Sequence, residues 1–368
     1  MGGSGKLPVN SRPKVEQAGL QRRIDSVSAQ NRPDVSVPKE KAPAMTLFTL
    51  AELEAAADLV HAVMPPTPQY AWPLLAKRAG VEVWVKHENH TPTGAFKIRG
   101  GLTYMAGLRT THPDVAAITS ATRGNHGQSL AFAAARAGLR SVIYVPRGNS
   151  VEKNAAMRAF GAELIEHGDD FDAAKAECAR NAAQSGLHFV PSFHPDLVRG
   201  VATYALEFFR AAGELDAIYV PIGLGSGICG LITTRDLLGL KTEIIGVVAE
   251  NAPAYALSFA AGQVVATNSA RTFADGMAVR QPDAQALAII KTGAARVIRV
   301  TEDAIAAAIR AYYEDTHNLA EGAGAAPLAG LLQEKQRMIG KRVGVVLCGG
   351  NIDRLLFQQV LDGTTPTP

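Results

Sequence analysis

The chain has 368 residues, 47% of them apolar, with 37 Lys and Arg against 34 Asp and Glu for a net charge of +3; that length exceeds one ordinary core and predicts two lobes of a globular protein. No run of roughly 18 apolar residues and no apolar N-terminal stretch ahead of a small-residue cleavage site occurs, so neither a membrane span nor a secretory signal is supported, and the cytoplasm is the default. Eight Lys/Arg and four Asp/Glu fall within residues 1–44, which leaves −1 over residues 45–368; no basic cluster suited to phosphate backbones remains, and no nucleic-acid partner is expected.

Residues 1–44, MGGSGKLPVN through KEKAPA, are polar, contain Pro and lack periodicity. They read as a disordered leader, in part an expression-derived extension. Met45 then opens TLFTLAELEAAADLV, whose apolar spacing predicts a helix. From residue 81 short β-rich runs (VEVWVKH, AAITSAT, SVIYVP, AELIEHG, HFVPSF, AIYVPIG, EIIGVVAE, RVIRVTE, RVGVVLCGG) alternate with helical stretches such as VEKNAAMRAFG and TEDAIAAAIRAYYEDTHN. That alternation predicts an α/β protein with open, twisted, mostly parallel sheets flanked by helices.

Within VEVWVKHENH the string HENH at 87–90 resembles a zinc-protease helix, but its histidines are three apart and Pro92 follows. The next stretch, TPTGAFKIRGG at 91–101, sets Lys97 between Phe96 and Ile98 at the mouth of a helix. Ligands of open α/β sheets bind beyond the carboxyl ends of strands. Three such turns carry unusual residues: ATRGNHGQ at 121–128, PIGLGSGICG at 221–230 and LCGGNID at 347–353.

PIGLGSGICG lies between an apolar strand and LITTRDLLGL, which reads as a helix. Its glycines let backbone N–H groups converge on an anion at a helix N-terminus. Gly225, Gly227 and Gly230 also satisfy G-x-G-x-x-G with Glu250 twenty residues on, so an NAD-dependent Rossmann oxidoreductase stands beside a cofactor-monophosphate cup as an open alternative. Cys178, Cys229 and Cys348 have none of the paired spacings of zinc or redox motifs. A monophosphate cup together with a singular lysine suits pyridoxal phosphate, which needs an amine, an anion site and a partner for its ring nitrogen.

GAFKIRGG, ATRGNHGQ, PIGLGSGICG, RTFADGMAVR and VVLCGGN, in that order over roughly residues 60–355, resemble the threonine dehydratase and serine racemase family of fold-type-II pyridoxal phosphate enzymes, which are tryptophan synthase β-like. The resemblance implies that Lys97 forms the Schiff base with pyridoxal 5'-phosphate, that Phe96 packs beside the ring and that Asn125 bonds the ring hydroxyl. It further implies a phosphate cup of Gly223, Leu224, Gly225, Ser226 and Gly227, an acid near the cofactor in Glu321, and Cys348 facing the pyridine nitrogen. A thiol there, with an ordinary pKa of about 8.5, would be a weak neutral donor, which suits prompt β-elimination. Thr122, Arg123, Gly124 and His126 fall at the turn expected to meet the substrate carboxylate.

Departures from the family bear on substrate and metal. Relatives carry Ser-Ala-Gly-Asn or Ser-Ser-Gly-Asn where this chain has Thr122-Arg123-Gly124-Asn125. The second serine is the racemase acid, and an arginine is a poor proton shuttle, so racemisation is disfavoured while a carboxylate clamp or a 3-hydroxyaspartate substrate stays open. Gly200-Val201-Ala202-Thr203 in place of Gly-Gln-Gly-Thr, with Ser192, Phe193 and His194 before it, suggests a remodelled pocket for a bulkier, phenylserine-type substrate. A divalent cation of the racemase branch would find Glu250 and the Ala254 carbonyl, but Ala256 stands where an Asp completes the set.

The expected protein is thus a dehydratase that turns a β-hydroxy-α-amino acid, from threonine or serine to phenylserine, into a 2-keto acid and ammonia. By resemblance residues 45–113 plus 197–368 form a large cofactor-binding domain, residues 114–196 form a small mobile domain, and the protein is a homodimer. The motifs end near residue 355, which leaves no room for a C-terminal regulatory domain.

Overall fold

The structure, a computed structural model, describes residues 47–367 together with Met1 and Gly2, so the expectation for the leader at 1–44 lies outside the described residues. The strands are β1 (Gln69–Ala71), β2 (Glu82–His87), β3 (Ala117–Ala121), β4 (Arg140–Val145), β5 (Glu163–Glu166), β6 (His188–Phe189), β7 (Ala217–Pro221), β8 (Glu243–Ala249), β9 (Arg296–Val300) and β10 (Arg342–Leu347). The helices are α1 (Leu50–His61), α2 (Pro73–Ala79), α3 (Lys97–Thr111), α4 (Asn125–Arg136), α5 (Val151–Ala159), α6 (Phe171–Ser185), α7 (Pro195–Ala212), α8 (Ser226–Leu237), α9 (Ala254–Ala261), α10 (Ala284–Gly293), α11 (Glu302–Thr316), α12 (Gly322–Gln333) and α13 (Arg354–Leu361). None of the described helices is long and apolar enough to cross a membrane.

Two sheets result. A six-stranded sheet runs β1-β2-β10-β7-β8-β9, and a four-stranded sheet runs β5-β4-β3-β6. Every neighbouring pair is parallel except β1 with β2. The fold is the expected α/β architecture. β7 is buried at all five positions, as a parallel strand covered on both faces must be. The β-rich runs read from sequence all became strands; β1 did not announce itself, being a three-residue edge strand with two exposed positions.

Three helices set the site's frame. α3 and α7 cross with their backbones touching: a Cβ on Gly100 would meet the Leu197 carbonyl at 2.7 Å, and one on Gly200 would collide with the Arg99 carbonyl. The segment Gly200–Thr203 is therefore a packing seam buried between α3 and α8, not a pocket wall, because Gly200 and Gly230 admit close backbone approach on both sides. Of the substitutions read as pocket remodelling, only Ser192 and Phe193 reach the cavity.

The first turn of α3 is held from below by buried charges. Arg99, fully buried, donates Nε to Glu88 Oε2 at 2.7 Å and Nη1 to Glu207 Oε1 at 2.6 Å, while buried Lys86 reaches Glu207 Oε2 at 2.6 Å. Burial raises the pKa of Glu207, but the neighbouring guanidinium and ammonium outweigh it and hold the carboxyl near 2. Two cations against two anions leave the cluster neutral, which is how four ionised groups tolerate burial.

Candidate active site

The carboxyl ends of strands from both sheets face one cavity of about 1030 Å³. Its floor is the meeting of two helix N-termini. Lys97 is the first residue of α3 and Ser226 the first of α8. Lys97 Nζ donates to Ser226 Oγ at 3.0 Å and lies 4.9 Å from the centroid of the Phe96 ring. Protein walls the amine in on most sides while part of the side chain opens on the cavity. Burial lowers its pKa to about 8, against the opposing pull of the Glu321 carboxylate.

The helix after β7 begins five residues earlier than LITTRDLLGL suggests. Gly225 is its N-cap, in the left-handed region at φ 105°, and Ser226 and Gly227 already belong to its first turn. Glycine is needed here for two reasons. A Cβ on Gly225 would meet the Ala286 side chain at 2.7 Å, and one on Gly223 would strike the Gly276 carbonyl. First-turn N–H groups have no intrahelical acceptor, and among the described residues the Leu224 and Gly225 N–H groups have none either. The turn is a ready anion cup with the helix dipole behind it.

The loop carrying Lys97 is tied to the turn after β10. The Phe96 N–H donates to the Cys348 carbonyl at 2.9 Å, and the Gly350 N–H to the Gly94 carbonyl at 2.9 Å. Cys348 is buried and lines the cavity. Burial, and then the Glu321 carboxylate, push its thiol well above the ordinary range, so it stays neutral.

At the turn after β3 the predicted residues divide. Asn125, the first residue of α4, donates Nδ2 to Glu321 Oε1 at 2.6 Å and accepts from Asn351 Nδ2 at 2.9 Å. The buried Thr122 hydroxyl accepts from the N–H groups of Gly124 (2.9 Å) and Gly127 (3.2 Å), so it shapes the turn. A Cβ on Gly124 would run into the Lys153 side chain. His126 lines the cavity with Nε2 buried and unpartnered among the described residues, and burial, then Lys97, depress its pKa to about 3, so the ring is neutral. Arg123 lines the same cavity and has no hydrogen bond or ion pair to any described residue. Glu321, the N-cap of α12, is buried and lines it as well.

Two predicted positions lie elsewhere. Glu250 follows β8, exposed, with its N–H on the Val300 carbonyl at 2.8 Å, and Ala254 opens α9; neither lines the cavity. No group of three or more His, Cys, Asp or Glu suited to a metal ion occurs among the described residues. The cavity instead includes groups that motif reading passed over: Lys153 and Asp275, joined at 2.6 Å, and the apolar wall of Phe171, Phe189 and Pro191. Lys153 stands in the first turn of α5, the helix that follows β4, so the rule used for the other three turns leads to it as well.

A family model described as pyridoxal-phosphate dependent enzyme matches residues 62–349. The chain is 37% identical to an L-threonine ammonia-lyase of Geobacter sulfurreducens over 76% of its length and 69% of the relative's. It is 33% identical to the biosynthetic L-threonine dehydratase IlvA of Salmonella typhimurium over 86% of its length but 62% of that protein's, so it spans about three fifths of such relatives. Its fold superposes with a TM-score of 0.78 on the processed form of threonine deaminase isoform 2 from Solanum lycopersicum, 27% identical, covering 90% of this chain and 98% of that one.

Proposed function

The chain belongs to the family of pyridoxal-phosphate dependent enzymes, and from that premise we propose that it is a dehydratase, an ammonia-lyase converting a β-hydroxy-α-amino acid to a 2-keto acid and ammonia. Family membership overturns the Rossmann alternative, and Glu250, which that alternative needs beside the ligand, does not line the cavity. The observation that carries the reading is the Lys97 amine: partly walled in, depressed to about pKa 8, and 3.0 Å from the hydroxyl at the head of the glycine turn. The printed activities of the relatives, threonine ammonia-lyase and threonine dehydratase, support the reaction class.

The residues present fit the cofactor. A cradle that a Cβ on Gly223 or Gly225 would fill, with the Leu224 and Gly225 N–H groups unpaired among the described residues, suits a phosphate. Asn125 keeps one amide N–H beyond its bond to Glu321, enough for a ring hydroxyl. Pyridoxal phosphate, when bound, supplies the electron sink that makes an amino acid's α-proton removable and its β-hydroxyl expellable.

The chain's own groups orient substrate and move the proton. Lys97 Nζ takes the α-proton, since an amine with a pKa near 8 is substantially neutral at mildly alkaline pH. The Cys348 thiol, kept neutral by burial, would be the weak donor available to the cofactor's ring nitrogen. Arg123, a cation with no partner among the described residues, binds a substrate carboxylate; because a guanidinium does not give up its proton, it does not serve as a racemase acid.

Within this class we read the preferred substrate as carrying an aryl β-substituent. The wall of Phe171, Phe189, Pro191 and Phe193 supports it, as does a cavity near the upper end of the roughly 300–1,000 Å³ usual for ligand pockets. Residues 114–196 would move as a small domain over residues 45–113 and 197–368, and the protein would work as a cytoplasmic homodimer.

Incubation with pyridoxal phosphate should give a yellow protein that borohydride bleaches, with the label on Lys97. Keto acid release is then compared for threonine, serine, phenylserine and 3-hydroxyaspartate. Phenylserine should show the highest kcat/KM. Release from none of the four overturns the reaction, and a preference for serine overturns the aryl reading.

A further inference from the structure

The first turn of α5 crosses from the four-stranded half of the protein to the six-stranded half. Ser150, its N-cap, donates Oγ to Asp353 Oδ1 at 2.5 Å, and Glu152 Oε1 accepts the Arg354 N–H at 2.9 Å. Next to Glu152 lies Lys153, 5% exposed, whose Nζ donates to Asp275 Oδ2 at 2.6 Å and Glu321 Oε2 at 3.1 Å. The missing side chain of Gly124 leaves the lysine stem its path, because a Cβ there would overlap the Lys153 Cδ.

Glu321 faces the other way as well. Its Oε1 accepts from Asn125 Nδ2, while Asn351 donates one N–H to Asn125 Oδ1 and the other to the Thr93 carbonyl at 2.8 Å. A carboxylate can only accept, so an ionised Glu321 fixes which end of the Asn125 amide points to it. A protonated Glu321 could donate instead and let the amide turn over.

We propose that Lys153 is a positioning residue: it docks the first turn of α5 on Asp275 and Glu321 across the cavity and holds Glu321 as the acceptor that orients the Asn125 amide. The second part rests on the reading of Asn125 as a cofactor contact; the docking does not. Four titratable groups face Glu321: Lys153 from α5, Asp275 from the turn before α10, Lys97 from α3 and Cys348 from the end of β10. Burial and Asp275 favour its protonated form, and Lys153 opposes them through direct contact. Loss of the Lys153 charge should therefore let Glu321 take up a proton at higher pH, and loss of the Asp275 charge should do the reverse.

The test uses the full chain with and without pyridoxal phosphate, in wild type, Lys153→Met, Lys153→Arg and Asp275→Asn. Two readouts are followed: hydrogen exchange of the α5 amides from Asn154 to Ala159, and the pH dependence of pyridoxal phosphate affinity. Lys153→Met should speed α5 exchange about tenfold in both states and move the acid limb of the affinity profile up by about one pH unit. Lys153→Arg should restore both, and Asp275→Asn should move the limb down. A folded Lys153→Met with unchanged exchange overturns the docking. Should that variant fail to fold, an acid limb that stays or rises in Asp275→Asn overturns the proposal. A protein that binds no pyridoxal phosphate refutes the site reading, and exchange on the cofactor-free chain still decides the docking.

Discussion

Lys97 and Ser226, each the first residue of its helix, meet at 3.0 Å, so the amine and the anion cup share one hydrogen bond at the bottom of the cavity. Lys97→Ala should abolish keto acid release and borohydride-stable labelling. Ser226→Ala should keep the label and weaken pyridoxal phosphate by about tenfold, the loss of one hydrogen bond to a charged group. Absorbance titration with the cofactor measures both, and an unaltered affinity in Ser226→Ala would remove the hydroxyl from the cup.

The depressed pKa of Lys97 has a pH signature in the cofactor-free protein. Only the neutral amine attacks a carbonyl, so the rate of pyridoxal phosphate attachment should climb about tenfold per pH unit on the acid side and level off above about 8. The sign follows from burial disfavouring the ammonium. Stopped-flow absorbance between pH 6 and pH 10, about the range of interest, checks it; a plateau reached only near the ordinary lysine range would show an unburied amine.

Arg123 makes the clearest substrate prediction, since it lines the cavity with no partner among the described residues. Arg123→Ala should lower kcat/KM by about ten- to a hundredfold through KM, the usual cost of a lost charge-assisted hydrogen bond, and leave cofactor affinity alone. Phe193→Ala should lower kcat/KM for phenylserine more than for threonine. Steady-state kinetics on both substrates decide the two together, and unchanged values in Arg123→Ala would mean that the guanidinium points away.

The buried cluster beneath α3 predicts a stability effect. Glu207→Gln leaves Arg99 and Lys86 short of a counter-charge and should cost about 3–5 kcal/mol in urea unfolding. The wild-type carboxyl is held well below its ordinary range, so its contribution is full above the unfolded-state pKa of about 4.5 and fades as pH falls toward 2. The variant should lack that part of the acid dependence; a loss below about 1 kcal/mol would show that the charges rearrange without it.

Much of the cavity lining was legible because its signals are local. Lys97, Gly223 to Gly227 and Asn125 sit in turns whose composition is odd within a few residues, at strand ends recognisable from apolar runs. Reading failed where a residue's work depended on a distant neighbour. Thr122, read as a substrate contact, lines the cavity, and its hydroxyl also accepts from the N–H groups of its own turn. Gly200–Thr203 looked like a pocket wall, yet it is the seam that lets α7 lie against α3. The start of α8 was misplaced because glycines, poor helix formers by propensity, are tolerated in a first turn, whose N–H groups have no intrahelical acceptor to lose.

From sequence alone came the parallel α/β class, the order of its strands along the chain, and the turns that bear a lysine, a glycine cup and a cysteine, because periodicity and turn chemistry act over spans of a few residues. Tertiary structure alone decided which charges are matched. Lys153 and Glu321 lie 168 residues apart, Arg99 and Glu207 lie 108 apart, and only folding brings each pair into contact. Arg123 stands out for the converse reason: a pairing energy depends on distance through space, so only the folded structure could show a cation at the cavity with no partner among the described residues.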